Sequence, residues 1–128
     1  MPAFFDTFDH GAIISDAKCT PTAALAWNAH PTFAGVFLKN LLAGESTDGR
    51  LSCHLVRIGP DMSIGRHSHP DSLELHEVVA GSGACITDNG TLPYTPGTMS
   101  LIPRDMPHAV HAGADGLYLF AKFVALQP

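Results

Sequence analysis

His67-Ser68-His69-Pro70-Asp71-Ser72-Leu73-Glu74 places two imidazoles and a carboxylate within eight residues. On an extended strand, residues two apart point to the same face, so the rings of His67 and His69 reach one point. Pro70-Asp71-Ser72 breaks that strand and lets the chain return with Glu74 alongside. Two imidazole nitrogens and a carboxylate oxygen suit one divalent transition metal ion such as Fe, Ni, Zn or Mn. His76 follows Glu74 by two positions and shares its inward face. It is a candidate catalytic residue, placed to move a proton or hold a substrate, or else a core histidine tied to a neighbour. Leu75 and Glu77 fall on the opposite face.

Outward from this segment, runs of β-forming residues alternate with turn residues. Before it, Phe33 to Leu42 and Leu51 to Ile58 predict an antiparallel hairpin around the loop Gly44 to Gly49. After it, strands are expected over Leu73 to Val79, Ala84 to Thr87, Thr98 to Ile102, His108 to Ala112 and Leu117 to Leu126. The turns between them include Gly81-Ser82-Gly83, Asp88-Asn89-Gly90, Tyr94-Thr95-Pro96-Gly97 and Gly113-Ala114-Asp115-Gly116. Strands at this spacing predict an all-β sandwich or barrel. The barrel domain is expected over residues 33–128. Residues 1–32 read as an N-terminal arm, with Pro21 to Trp27 either a short helical turn or extended. Trp27, the only tryptophan, is expected to plug an end of the core.

The segment His67 to Glu74, with Gly81 beyond it, resembles the first conserved motif of the cupin superfamily. Gly97-Thr98-Met99-Ser100-Leu101-Ile102-Pro103-Arg104-Asp105-Met106-Pro107-His108 resembles the second, with Gly97, Pro103 and His108 at the family's spacing. The resemblance implies a small antiparallel jelly-roll β-barrel. It also implies a metal ion held inside by His67, His69, Glu74 and His108, with one or two coordination positions open. The motifs span residues 61 to 112. The family often has Gly where Asp61 and Asp105 stand, and Asn where Ala112 stands. Asp tolerates turn conformations, and none of the three is a ligand. By the same resemblance Val78 and Leu101 face inward and line a mostly apolar pocket. Small cupins commonly pair, and open sheet edges need covering, so a homodimer is expected, with residues 1–32 able to lie across a partner.

Composition bounds the function. A chain of 128 residues fits one domain. The net charge is −5 and the seven basic residues do not cluster, which argues against a nucleic-acid partner. Cys19, Cys53 and Cys85 are odd in number and far apart, which argues against a disulfide framework and a cysteine zinc site. Met1-Pro2-Ala3-Phe4-Phe5-Asp6 has no basic segment leading into an apolar run, and no apolar stretch reaches membrane length. The expectation is a cytoplasmic protein with neither signal peptide nor membrane span. His10, His30, His54 and His111 carry no ligand spacing and are expected to be structural or exposed. Arg57, Arg66 and Arg104 are the candidates to hold a substrate carboxylate.

The full ligand set favours a metal-dependent enzyme acting on a small organic molecule, as an oxygenase or as an isomerase or lyase. The alternative is a non-catalytic small-molecule binding or sensing domain. Glu74 to Gly81 also resembles part of the ligand-binding arm of arabinose-type transcription regulators, although the sequence contains no helix-turn-helix.

Overall fold

Strand alternation dominates the chain from Ala12 onward, and in the computed structural model residues 1–126 are described; residues 127 and 128 of the expected barrel domain lie outside the described residues. A short helix, α1 (Ala3–Asp9), precedes a hairpin of β1 (Ala12–Ser15) and β2 (Lys18–Pro21). Then follow β3 (Trp27–Ala29), β4 (Val36–Leu42), β5 (Leu51–Ile58), β6 (Ser63–His67), β7 (Ser72–Thr87), β8 (Gly90–Tyr94), β9 (Met99–Ile102) and β10 (His108–Ala125). Every pairing among them is antiparallel.

The two long strands define the architecture. The first half of β10 pairs with β6 and with the second half of β7, which carries β8. The second half of β10 pairs with β5 and with the first half of β7, which carries β9. β10 and β7 therefore run through both layers of an all-β jelly roll. Val56, Ile58, Val78, Val110, Leu117 and Leu119 fill the space between the layers.

Gly81-Ser82-Gly83 and Gly113 to Gly116 are not turns, as their composition suggested, but bends within single strands. Gly81 has φ of +82°, and its α-carbon faces the Gly116 carbonyl too closely for any side chain. The register shifts between Ala112 and Leu117, so these glycines form a bulge at which the strands cross from one layer to the other. Asp61 and Asp105 have φ of +60° and +62°. They take up the left-handed conformation for which the family often uses Gly.

The N-terminal residues lie on the outer face of their own barrel. Leu119 and Ala121 point inward, so Tyr118 and Phe120 point out. Phe5 is fully buried, with ring centroids 5.1 Å from Tyr118 and 6.0 Å from Trp27. Asp9 and Lys39 form a buried ion pair. Trp27 Nε1 donates to Asp9 Oδ1 at 3.0 Å, and Lys39 Nζ donates to the Thr22 carbonyl at 2.9 Å. Trp27 thus sits outside the barrel, under the Arg57 guanidinium at 4.5 Å, rather than at an end of the core. β3 joins the main sheet beside β4, so the sheet starts before residue 33. Pro21 leads into a single 3-10 turn, Thr22–Ala24.

Candidate metal centre

His67 ends β6 and His108 opens β10, and the two are paired in register. Glu74 lies near the start of β7, in the other layer. His69 follows in the irregular link between β6 and β7, after the strand has ended. The four side chains therefore meet between the layers. One ligand atom from each lies within 4.8 Å of the others.

Two of the rings are oriented by the backbone. His67 Nδ1 donates to the Gly65 carbonyl at 2.7 Å, and His108 Nδ1 donates to the Met106 carbonyl at 2.9 Å. With Nδ1 committed, Nε2 is the atom each ring presents to the centre. His108 Nε2 lies 3.2 Å from Glu74 Oε1. His69 Nε2 lies 3.3 Å from the same oxygen, yet it is buried without an aligned hydrogen bond. A buried polar atom without a partner is costly unless something else satisfies it. Three imidazole nitrogens and a carboxylate, one nitrogen orphaned, form a donor set that fits a divalent transition metal.

The charges follow the same geometry. Burial alone would raise the Glu74 carboxyl, but the surrounding His108, His69 and His76 rings outweigh it and hold the group well below the usual carboxylate range. Burial pushes the His67 imidazole down. Burial also works against a charge on His108, but its bonds to Glu74 and to Met106 prevail and push it up.

His76 is buried, as strand alternation requires. Its Nε2 donates to Glu74 Oε2 at 2.8 Å, and its Nδ1 lies 2.9 Å from the Tyr94 hydroxyl. An ionised carboxylate only accepts, so in the neutral ring Nε2 carries the proton and Tyr94 donates to Nδ1. Glu74 is thereby held by one oxygen, leaving Oε1 toward the histidines. Burial raises the Tyr94 hydroxyl, which keeps it a donor. Tyr94 ends β8 and is not the start of the turn that its neighbours Thr95-Pro96-Gly97 suggest.

The cavity beside the cluster has a volume of about 110 Å³. Its apolar wall comes from Leu38, Val56, Ile64, Leu119, Ala121 and Phe123. Phe123 packs against His69 with centroids 5.0 Å apart, and Phe33 lies between His30 and His67. His30 also borders the cavity, a placement no spacing in the sequence signalled. Phe123 was legible, because it continues the alternation of Leu119 and Ala121. Leu101 is a correction: it is 62% exposed, because it pairs with outward Leu75 while Ile102 turns inward beside Glu74. Val78 is buried in the core as expected. His111 points away from His108 and contacts Ser63 at the surface. His54 bonds Asn40 and Ser52, and His10 bonds Asp6 on α1.

Fold and site together define a jelly-roll barrel with a three-histidine, one-glutamate cluster between its layers. The Cupin domain family matches residues 54–119, which include all four cluster residues, and the chain belongs to that family. A predicted oxalate decarboxylase from Thermotoga maritima shares the fold, with a TM-score of 0.74 at 17% identity over 81% of this chain and 96% of that one. The polyketide cyclase RemF from Streptomyces resistomycificus gives 0.72 at 20% identity, over 86% and 80% of the two chains. KdgF from Halomonas sp. gives 0.68 at 16% identity, over 80% and 89%. The search of curated proteins found no match. No helix among the described residues is long and apolar enough to cross a membrane.

Replacing Tyr94 with Phe leaves His76 Nδ1 without its partner and loosens Glu74. The expected result is a metal affinity lower by about 10–100-fold, with about 1–2 kcal/mol of stability lost. Competition with a chromophoric chelator measures the first, and urea unfolding of the metal-free protein the second. Unchanged affinity would show that Tyr94 does not act on the cluster.

Proposed function

We propose that this cupin binds one divalent transition metal ion through His67, His69, Glu74 and His108 and acts at that ion on a small organic molecule, as an oxygenase or as an isomerase or lyase. The observation that carries the reading is the convergence of four ligand atoms within 4.8 Å, with His69 Nε2 buried and unsatisfied. The ion supplies Lewis acidity toward a ligand oxygen and, if redox-active, a route for electrons. The protein supplies the rest. Gly65 and Met106 aim the ring nitrogens, His76 and Tyr94 orient the carboxylate, and the apolar wall excludes water. Because both His76 nitrogens are engaged, His76 acts through Glu74 as a positioning residue, not as a free acid or base.

Elemental analysis of protein purified without a metal-affinity tag tests the first half, with about one transition metal ion per chain expected. Incubating iron, nickel, manganese and zinc forms with small oxygen-bearing compounds, with and without air, tests the second. Oxygen uptake marks an oxygenase, and turnover without oxygen an isomerase or lyase. Saturable binding with no turnover in any form would assign the domain to sensing. The chain is also read as a homodimer. Met99, Leu101 and Phe4 are each more than 60% exposed, an apolar surface suited to a second copy. Light scattering on the same preparation giving only the 13.5 kDa mass of one chain would rule that out.

A further inference from the structure

Four strands that wall the cavity, β4, β5, β6 and β10, carry cations, and all of these cations face outward. Leu38 lines the cavity and its neighbour Lys39 is paired with Asp9 under the N-terminal arm. Val56 lines it and Arg57 lies over the Trp27 and Phe37 rings on the outer face. Ala121 and Phe123 line it and Lys122, between them, pairs with Glu77. Strand alternation makes this a consequence of register. The remaining basic residues, Lys18, Arg50, Arg66 and Arg104, are exposed, and Arg66 is paired with Asp88. None of the seven lines the cavity, so none of the arginines considered from the sequence reaches a substrate carboxylate there.

The histidines outside the ligand set do not replace them, and His76, which also lines the cavity, has both nitrogens engaged with Glu74 and Tyr94. His30 Nδ1 accepts from the backbone N–H groups of Thr32 and Phe33 at 3.0 and 3.2 Å. An atom that accepts two N–H bonds has no N–H of its own to offer an anion. His54 is pushed down by burial. With a divalent ion at the cluster, the Glu74 carboxylate leaves one net positive charge, and nothing else in the apolar wall balances an anion. A ligand that brings one negative charge on its metal-facing oxygens is neutralised. A second charge is buried unpaired, which low-dielectric surroundings penalise strongly.

Resting on the metal reading above, we infer that the substrate is a small, largely apolar oxygen chelator that carries at most one negative charge when bound, and that dicarboxylates are rejected. The cavity beside the cluster is small, about 110 Å³, so the molecule is short. Acetylacetone and malonate test the charge directly. They have equal numbers of non-hydrogen atoms and the same spacing between oxygens, and differ by two methyl groups in place of two charged oxygens.

The experiment loads the full chain with Co²⁺, removes free ion, and titrates each compound anaerobically while the visible cobalt spectrum is followed. Acetylacetone is expected to shift the spectrum saturably, with a Kd at least about tenfold below that of malonate, a difference of about 1.4 kcal/mol. Malonate binding as tightly or more tightly overturns the inference, and so does binding of neither at millimolar concentration. Failure to take up cobalt overturns the metal reading itself, which the loading step shows before any ligand is added. Phe123→Arg supplies the converse, because Phe123 is only partly buried and borders the cavity. In a folded, cobalt-loaded variant, malonate affinity should rise at least about tenfold; no rise counts against the charge argument.

Discussion

Replacing His69 with Ala is expected to abolish the metal binding proposed for the cluster, and with it the stability an ion would confer, while leaving the metal-free protein about as stable as before. The asymmetry follows from the position of the ring. His69 is partly exposed, and its Nε2 is buried without a partner, so deleting it from the metal-free protein removes an unsatisfied group along with some packing against Phe123. With metal present the balance reverses. An ion at a thousandfold excess over its Kd stabilises the folded state by about 4 kcal/mol. In a domain of this size that corresponds to a rise in Tm of roughly 10–20 °C. Calorimetry of wild-type and His69→Ala protein, each with and without metal, should show the metal-dependent rise only in the wild type. Elemental analysis should fall from about one ion per chain to a small fraction. Full metal content in the variant would remove His69 from the ligand set.

Gly81→Ala is expected to be the most damaging single methyl group in the barrel. A β-carbon at Gly81 stands 2.1 Å from the Gly116 carbonyl oxygen, 2.9 Å from its carbon and 3.1 Å from the Leu117 α-carbon. All three are backbone atoms of β10, and none can swing away as a side chain would. The φ of +82° adds its own penalty. A left-handed backbone costs about 1–2 kcal/mol for a residue with a β-carbon, and overpacking a tight contact about 1–3 kcal/mol. The sum, roughly 2–5 kcal/mol, is a large share of a typical domain's 5–15 kcal/mol. Gly49→Ala is the matched control. Gly49 has φ of +74° but nothing within 4 Å of the added carbon, so it carries the backbone cost alone. Urea unfolding should place the Gly81 variant well below the Gly49 variant. Equal midpoints would show that the β7–β10 contact tolerates the methyl group, and the bulge would not be the constraint described above.

The two substitutions act at opposite ends of what could be read in advance. The cluster was legible because its signal is chemical and local. His67, His69 and Glu74 lie within eight residues, their side chains have metal-compatible donors, and His108 stands in a second motif with its Gly and Pro in place. The structure brings these four together, although His69 achieves this from an irregular link rather than from the strand that its spacing suggested. The hairpin of β4 and β5 was legible for the same reason, since it depends on residues adjacent in the chain.

What was not legible depends on register between distant segments. Glycine runs at 81–83 and 113–116 look like turns locally. Only the close approach of β7 to β10 makes them bends inside continuous strands. Where the N-terminal arm rests on its own barrel was not legible, because nothing nearby in sequence holds it. Its anchor is Asp9 against Lys39, thirty positions away, buried together so that neither charge is left unpaired. Tyr94 reaches His76 only because β8 and β9 both pair with β7, at its two ends. The arginines could not be placed from composition either, since a one-residue slip in register would turn Arg57 from the outer face to the cavity. Sequence alone determined which side chains could hold an ion, because ligand chemistry is a property of residues and short spacings. The tertiary structure decided what surrounds the cluster, including an apolar wall and a carboxylate held by His76 and Tyr94, because facing is set by strand pairing across the whole barrel.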